Sequence, residues 1–109
     1  MEDEAQRRIG ANEALFREVN EGIARGQWPG EEDAPVGFRC ECARTSCNQL
    51  VELSMREYER VRGNPRRFLM VAGHELAGAE TVVESGARYV VVEKREAAAR
   101  VAERENPRD

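Results

Sequence analysis

Apolar residues recur along the first part of the chain at spacings of three and four. Ile9, Asn12, Phe16, Val19 and Ile23 share one stripe, with Leu15 beside it, and this period predicts a helix over residues 3–25. Arg7, Arg8, Glu13, Arg17, Glu18 and Glu21 fall on the other face. Gly10 and Gly22 each weaken a helix by about 1 kcal/mol relative to Ala, so its first turns are expected to fray. The period then breaks. Residues 26–35 hold two Gly, two Pro and three consecutive acids, which form no packed element and read as a linker. Trp28, the only tryptophan, is expected to staple this linker to the rest of the chain.

Beyond the linker the pattern shortens. Residues 36–40 and 49–53 read as two strands of a hairpin, the second rich in residues that suit a pleated surface. Ser54 and Glu57 then form a capping box, in which each side chain can satisfy the other residue's backbone N–H. A helix to Arg62 follows, with Met55, Tyr58 and Val61 facing inward, and Gly63, Asn64 and Pro65 end it. Residues 68–71 read as a strand. Leu76, Ala79, Val82 and Val83 fit a short helix within 75–84, and Ser85 and Gly86 a turn. Residues 88–93, with three successive valines, predict a central strand covered on both faces. Residues 94–105 close the chain as an alanine-rich helix with a charged outer face. The fold class is α+β: a small, mostly antiparallel sheet with N-terminal, middle and C-terminal helices. Residues 1–35 supply the N-terminal helix and acidic linker, and 36–109 the α+β unit, within a single domain overall.

Composition narrows the class. A chain of 109 residues with 35% charged and 6% aromatic side chains builds its core on Val, Leu, Ile and Ala. About two-thirds of the unfolded surface is buried at this length, so a crosslink would add useful stability. The formal net charge of −4 argues against a broad nucleic-acid-binding surface. No apolar run approaches the roughly 18–20 residues of a membrane span. The acidic Met1, Glu2, Asp3, Glu4 start has no signal-peptide core, so a cytoplasmic location with reduced thiols is expected.

The chemistry concentrates in one stretch. All three cysteines, Cys40, Cys42 and Cys47, fall within eight residues, and the only histidine, His74, lies 27 residues after the last of them. Three thiolates and one imidazole make a complete tetrahedral Zn2+ set, and a filled set is the mark of a structural site. An odd cysteine count in a reducing compartment favours metal over disulfides. Gly73 permits a sharp bend that would swing His74 towards the hairpin tip. Glu41 and Glu75, beside these residues, read as solvated rather than coordinating. Two alternatives use the same residues: a thiol redox sensor with a bridge to Cys47, and a cluster of inert buried thiols. Arg56, Arg60, Arg62, Arg66 and Arg67 form a locally basic group that could contact phosphates or an acidic partner. Its plain alternative is a solvated helix face with paired charges. No phosphate loop, nucleophile elbow or paired-histidine zinc motif is present. A non-enzymatic regulatory or adaptor module acting through protein contacts is therefore expected, with a nucleic-acid-binding zinc domain as the alternative.

Several segments together resemble a family of short, uncharacterised proteins from actinobacterial-type, high-GC genomes. These are 15–21, Cys40, Glu41 and Cys42 with Cys47, 57–59 with Val61, Arg62 and Pro65, Arg67 and Phe68, Gly73, His74 and Glu75, and 89–94. The resemblance spans most of the chain. It implies a bacterial, cytoplasmic protein and no particular activity, substrate or partner.

Overall fold

The computed structural model describes every residue except 1, 29, 45, 77, 79, 87 and 107–109. The expected helical position of Ala79 and the chain end from Pro107 therefore lie outside the described residues. Among the described residues three helices and five strands run in the order α1 (Glu2–Arg25), β1 (Pro35–Arg39), β2 (Leu50–Ser54), α2 (Met55–Arg62), β3 (Arg67–Met70), β4 (Glu80–Ser85), β5 (Val90–Lys94) and α3 (Glu96–Arg104). The fold is α+β, and its antiparallel strands divide between two sheets. β1 and β2 form one; the other has the order β3-β5-β4.

Alternation sets the faces of the first hairpin. Phe38 pairs with Val51 and Val36 with Leu53, so Phe38, Val51 and Leu53 point into the core while Gly37 and Glu52 point out. Phe38 stacks on Tyr58 of α2, with ring centroids 4.3 Å apart and planes 5° from parallel. The capping box of α2 is complete: Glu57 N–H donates to Ser54 Oγ (3.1 Å) and Ser54 N–H donates to Glu57 Oε1 (2.9 Å). Gly63 ends α2 in ordinary right-handed backbone, its N–H donating to Arg60 and Val61 carbonyls. In the second sheet β5 is central as expected, and Val90, Val91 and Val92 are buried between neighbours.

Three expectations outside α1 are corrected here. First, 75–84 does not form a helix; β4 begins at Glu80, joins β5 antiparallel, and carries a bulge between Val82 and Glu84. Thr81, Val82 and Val83 are three β-branched residues in a row, which favour a strand over a helix. Their side chains are exposed, and β4 lies at the edge of its sheet. Second, Lys94 ends β5 rather than starting α3, and it is fully buried. Third, Trp28 is 78% exposed and staples nothing. The linker is held instead by Glu32 O, which accepts from Arg56 N–H (3.0 Å), and by an Asp33–Arg56 ion pair (2.9 Å).

The largest correction concerns α1. Leu15 and Val19 face solvent, whereas Glu13, Arg17, Asn20 and Glu21 are buried beside Ala14 and Phe16. The helix thus turns a polar stripe to the core. Each buried charge meets a partner from elsewhere in the chain. Arg17 Nη1 and Nη2 donate to Pro65 O (2.7 Å) and Ala102 O (2.8 Å), and its guanidinium lies 4.4 Å over Phe68. Glu21 accepts from Arg62 Nε (3.1 Å) and from Tyr58 OH (3.2 Å). Lys94 Nζ sits between Glu13 and Glu80. Gly10 does not fray the helix. It sits where α1 meets α3, and a Cβ added there would lie 3.2 Å from Val101 Cβ.

Candidate metal centre

The loop between β1 and β2 continues the ladder for one step, with Cys40 N–H donating to Gln49 O (2.9 Å), and then opens. Cys40 and Cys42 are fully buried, and Cys47 is half-buried on the returning arm. The fourth residue arrives from the end of β3. Val71 starts a tight turn closed by His74 N–H to Val71 O (3.0 Å). Gly73 takes φ 92° in this turn, a conformation that favours glycine, as the bend expected there requires.

His74 Nδ1 lies 3.6 Å from Cys40 Sγ and 3.7 Å from Cys47 Sγ. One ligand atom each from Cys40, Cys42, Cys47 and His74 falls within 4.8 Å of the others, an arrangement that could hold a metal ion. With Zn–S near 2.3 Å and Zn–N near 2.0–2.1 Å, a tetrahedron has S···N edges of about 3.6 Å and S···S edges of about 3.8 Å. The two S···N distances match such an edge, and the whole group spans no more than 4.8 Å.

Backbone amides converge on the sulfurs. Val71 N–H donates to Cys40 Sγ (3.2 Å), joined by Cys42 N–H. Arg44 N–H serves Cys42, and Gln49 N–H serves Cys47. Such donors delocalise thiolate charge in a desolvated site. The thiols themselves divide. Burial pushes Cys40 up to about 12 and also raises Cys42. At Cys47 burial acts in the same sense, but the Gln49 amide, the Cys42 and Cys40 thiols and the Arg39 guanidinium outweigh it and hold the thiol below its ordinary value. A bound cation would offset the burial of Cys40 and Cys42 as thiolates.

Glu41 is the residue that sequence reasoning misplaced. It is fully buried, not solvated. In an extended stretch alternate side chains point apart, so Cys40 and Cys42 face the site while Glu41 faces the core. Its Oε1 accepts from Leu69 N–H (3.0 Å) and its Oε2 from Asn20 Nδ2 (2.7 Å). Burial pushes its carboxyl up to about 7, against those two hydrogen bonds and the charges of Arg62 and Arg17. Glu75 is half-buried and accepts from Gly73 N–H (2.8 Å), bracing the turn that carries His74.

The basic group is not brought to the centre, and its members are paired with acids. Arg56 meets Asp33, Arg60 meets Glu84, Arg66 meets Glu103, Arg67 meets Glu93, and buried Arg62 meets Glu21. Among the described residues no helix is long and apolar enough to cross a membrane. No family model, curated protein or solved structure matches the chain.

Proposed function

We propose that this is a small zinc-binding protein whose Cys3His site is structural, and that it acts as a non-enzymatic regulatory or adaptor module through protein contacts. The observation that carries the metal reading is the convergence of His74 Nδ1 with the Cys40 and Cys47 sulfurs at tetrahedral edge lengths, with Cys42 in the same cluster. Thiolate and imidazole donors in a tetrahedral array suit zinc, whereas magnesium and calcium take oxygen ligands. Cys40, Cys42, Cys47 and His74 would fill the four positions, leaving none for a water or substrate. The bound ion would crosslink the β1–β2 loop to the turn after β3. The resemblance to actinobacterial-type proteins supports a bacterial, cytoplasmic setting for it. The acid pairing of the arginines favours protein contacts over phosphate contacts.

Elemental analysis of the reduced, freshly purified protein tests the metal reading, with one zinc per chain expected. His74→Ala should lower zinc affinity, measured by chelator competition, by more than the roughly 10–100-fold typical of losing an outer-shell partner. Metal-free protein would overturn the zinc site, and unchanged affinity in the variant would remove His74 from it.

A further inference from the structure

The second half of α1 is fastened to the metal loop by directional contacts. Asn20 makes three of them. Its Nδ2 donates to Arg39 O (2.8 Å) and Glu41 Oε2 (2.7 Å), and its Oδ1 accepts from Arg39 N–H (2.7 Å). One turn earlier, Phe16 lies 3.9 Å under the Arg39 guanidinium, which also donates to Cys47 O. Asn12 Nδ2 reaches Ala43 O (3.4 Å). All these loop groups belong to residues 39–43, the stretch that carries Cys40 and Cys42. Contacts away from the loop hold the helix as well: Gly10 lies against Val101 and Ala98 of α3, Glu13 meets Lys94, Arg17 donates to Pro65 O and Ala102 O, and Glu21 meets Arg62 and Tyr58.

The loop backbone therefore reads in two directions. Cys40 and Cys42 point to the metal centre, and Glu41 between them points to Asn20 and β3. A metal that fixes the two sulfurs also fixes the carboxylate on the opposite side. We propose that metal occupancy tightens the docking of the second half of α1 on the metal loop. With the ion bound, Glu41 and the Arg39 backbone are held where Asn20 can meet them. With the ion removed, the clustered sulfurs lose the cation that draws them together, the loop relaxes, and the three Asn20 hydrogen bonds are lost together. Hydrogen bonds weaken steeply when misaligned, so this polar seam releases where an apolar one would slide. The inference deepens the zinc reading and rests on it. Linkage makes it reciprocal: undocking the helix must weaken metal binding by the factor by which metal strengthens docking.

Hydrogen exchange on the full chain, zinc-loaded and chelator-stripped under reducing conditions, tests this, with zinc content measured on the same samples. Amides of 14–25 should exchange about tenfold faster or more after stripping, while β5 and α3 change by less than about twofold. Unchanged protection of 14–25 in protein shown to have lost its zinc would overturn the coupling and leave the zinc site standing. Loss of protection across all elements together would also overturn it, since the helix would then have no separate response. Protein that never held zinc would overturn the zinc reading itself. Asn20→Ala supplies the reciprocal arm: one zinc per chain, bound at least about fivefold more weakly. Affinity within about twofold of wild type would overturn the proposal.

Discussion

Glu13 is buried among groups that cannot fully compensate its charge. Lys94 Nζ contacts it but also contacts Glu80, and Glu13 Oε2 has no partner among the described residues. Burial pushes its carboxyl from the ordinary 4.5 up to about 7, with Lys94 pulling the other way. A raised folded pKa means that the native state binds the proton more tightly than the unfolded chain. The resulting stability is present in full below the unfolded pKa and is lost as pH rises through about 7. Glu13→Gln, neutral at every pH, should therefore gain little over wild type near pH 5 and most near pH 8. The expected gap is on the order of 1–3 kcal/mol. Urea denaturation of both zinc-loaded proteins across that range checks it, and a gap that stays flat with pH would show that Glu13 titrates normally. None of this was legible in the sequence. The same spacing that put Glu13, Arg17 and Glu21 opposite the apolar stripe gave no hint of their partners. Those partners are Lys94, Pro65, Ala102, Arg62 and Tyr58, all far along the chain.

At the scale of elements, the two glycines of α1 carry opposite meanings. Gly22 is exposed in the helix interior, and a Cβ there would meet only the end of the Arg25 side chain at 3.7 Å. Gly22→Ala should stabilise the protein by roughly 0.5–1 kcal/mol through helix propensity alone. Gly10 lies against α3, where a Cβ would meet Val101 Cβ at 3.2 Å and Ala98 O at 3.3 Å. Gly10→Val should destabilise by roughly 1–3 kcal/mol through overpacking, despite leaving a position that propensity disfavours. Denaturant midpoints of the two variants decide the matter, and a shared sign would refute the difference in role. Elements with local signals were readable for the same physical reason that propensity works at all. The Ser54–Glu57 box, the paired runs around the cysteines and the three valines of β5 each commit their own backbone. Strand β4 was missed because Leu76, Val82 and Val83 happen to fit a helical period. The run Thr81, Val82, Val83 held the better signal. The cysteine centre was legible because its thiols are adjacent in sequence, whereas the inward role of Glu41 depends on α1 and β3 being present to receive it.

At the scale of the molecule, the fold distributes its basic group into pairs with acids from the linker and four other elements. Five arginines within twelve residues suggested a phosphate-binding surface. The fold instead sets Asp33 from the linker, Glu84 from β4, Glu93 from β5 and Glu103 from α3 against four of them, and buries the fifth with Glu21. Exposed pairs of this kind add at most about 1 kcal/mol each to stability. Their larger effect is on the field, since a cation within 3–4 Å of a carboxylate presents little net potential to a distant polyanion. With a formal net charge of −4 behind them, these arginines should recruit no DNA or RNA at about 0.15 M salt. The charge-removing triple variant Glu84→Gln, Glu93→Gln, Glu103→Gln frees Arg60, Arg67 and Arg66 without touching the metal centre. It should gain weak binding at low salt that disappears as salt is raised, with a slope set by the few phosphates those arginines can neutralise. Fluorescence anisotropy with a short labelled oligonucleotide measures both proteins. Steeply salt-dependent binding by the wild type would mean that the acids do not mask the arginines. The nucleic-acid reading would then displace the one based on protein contacts.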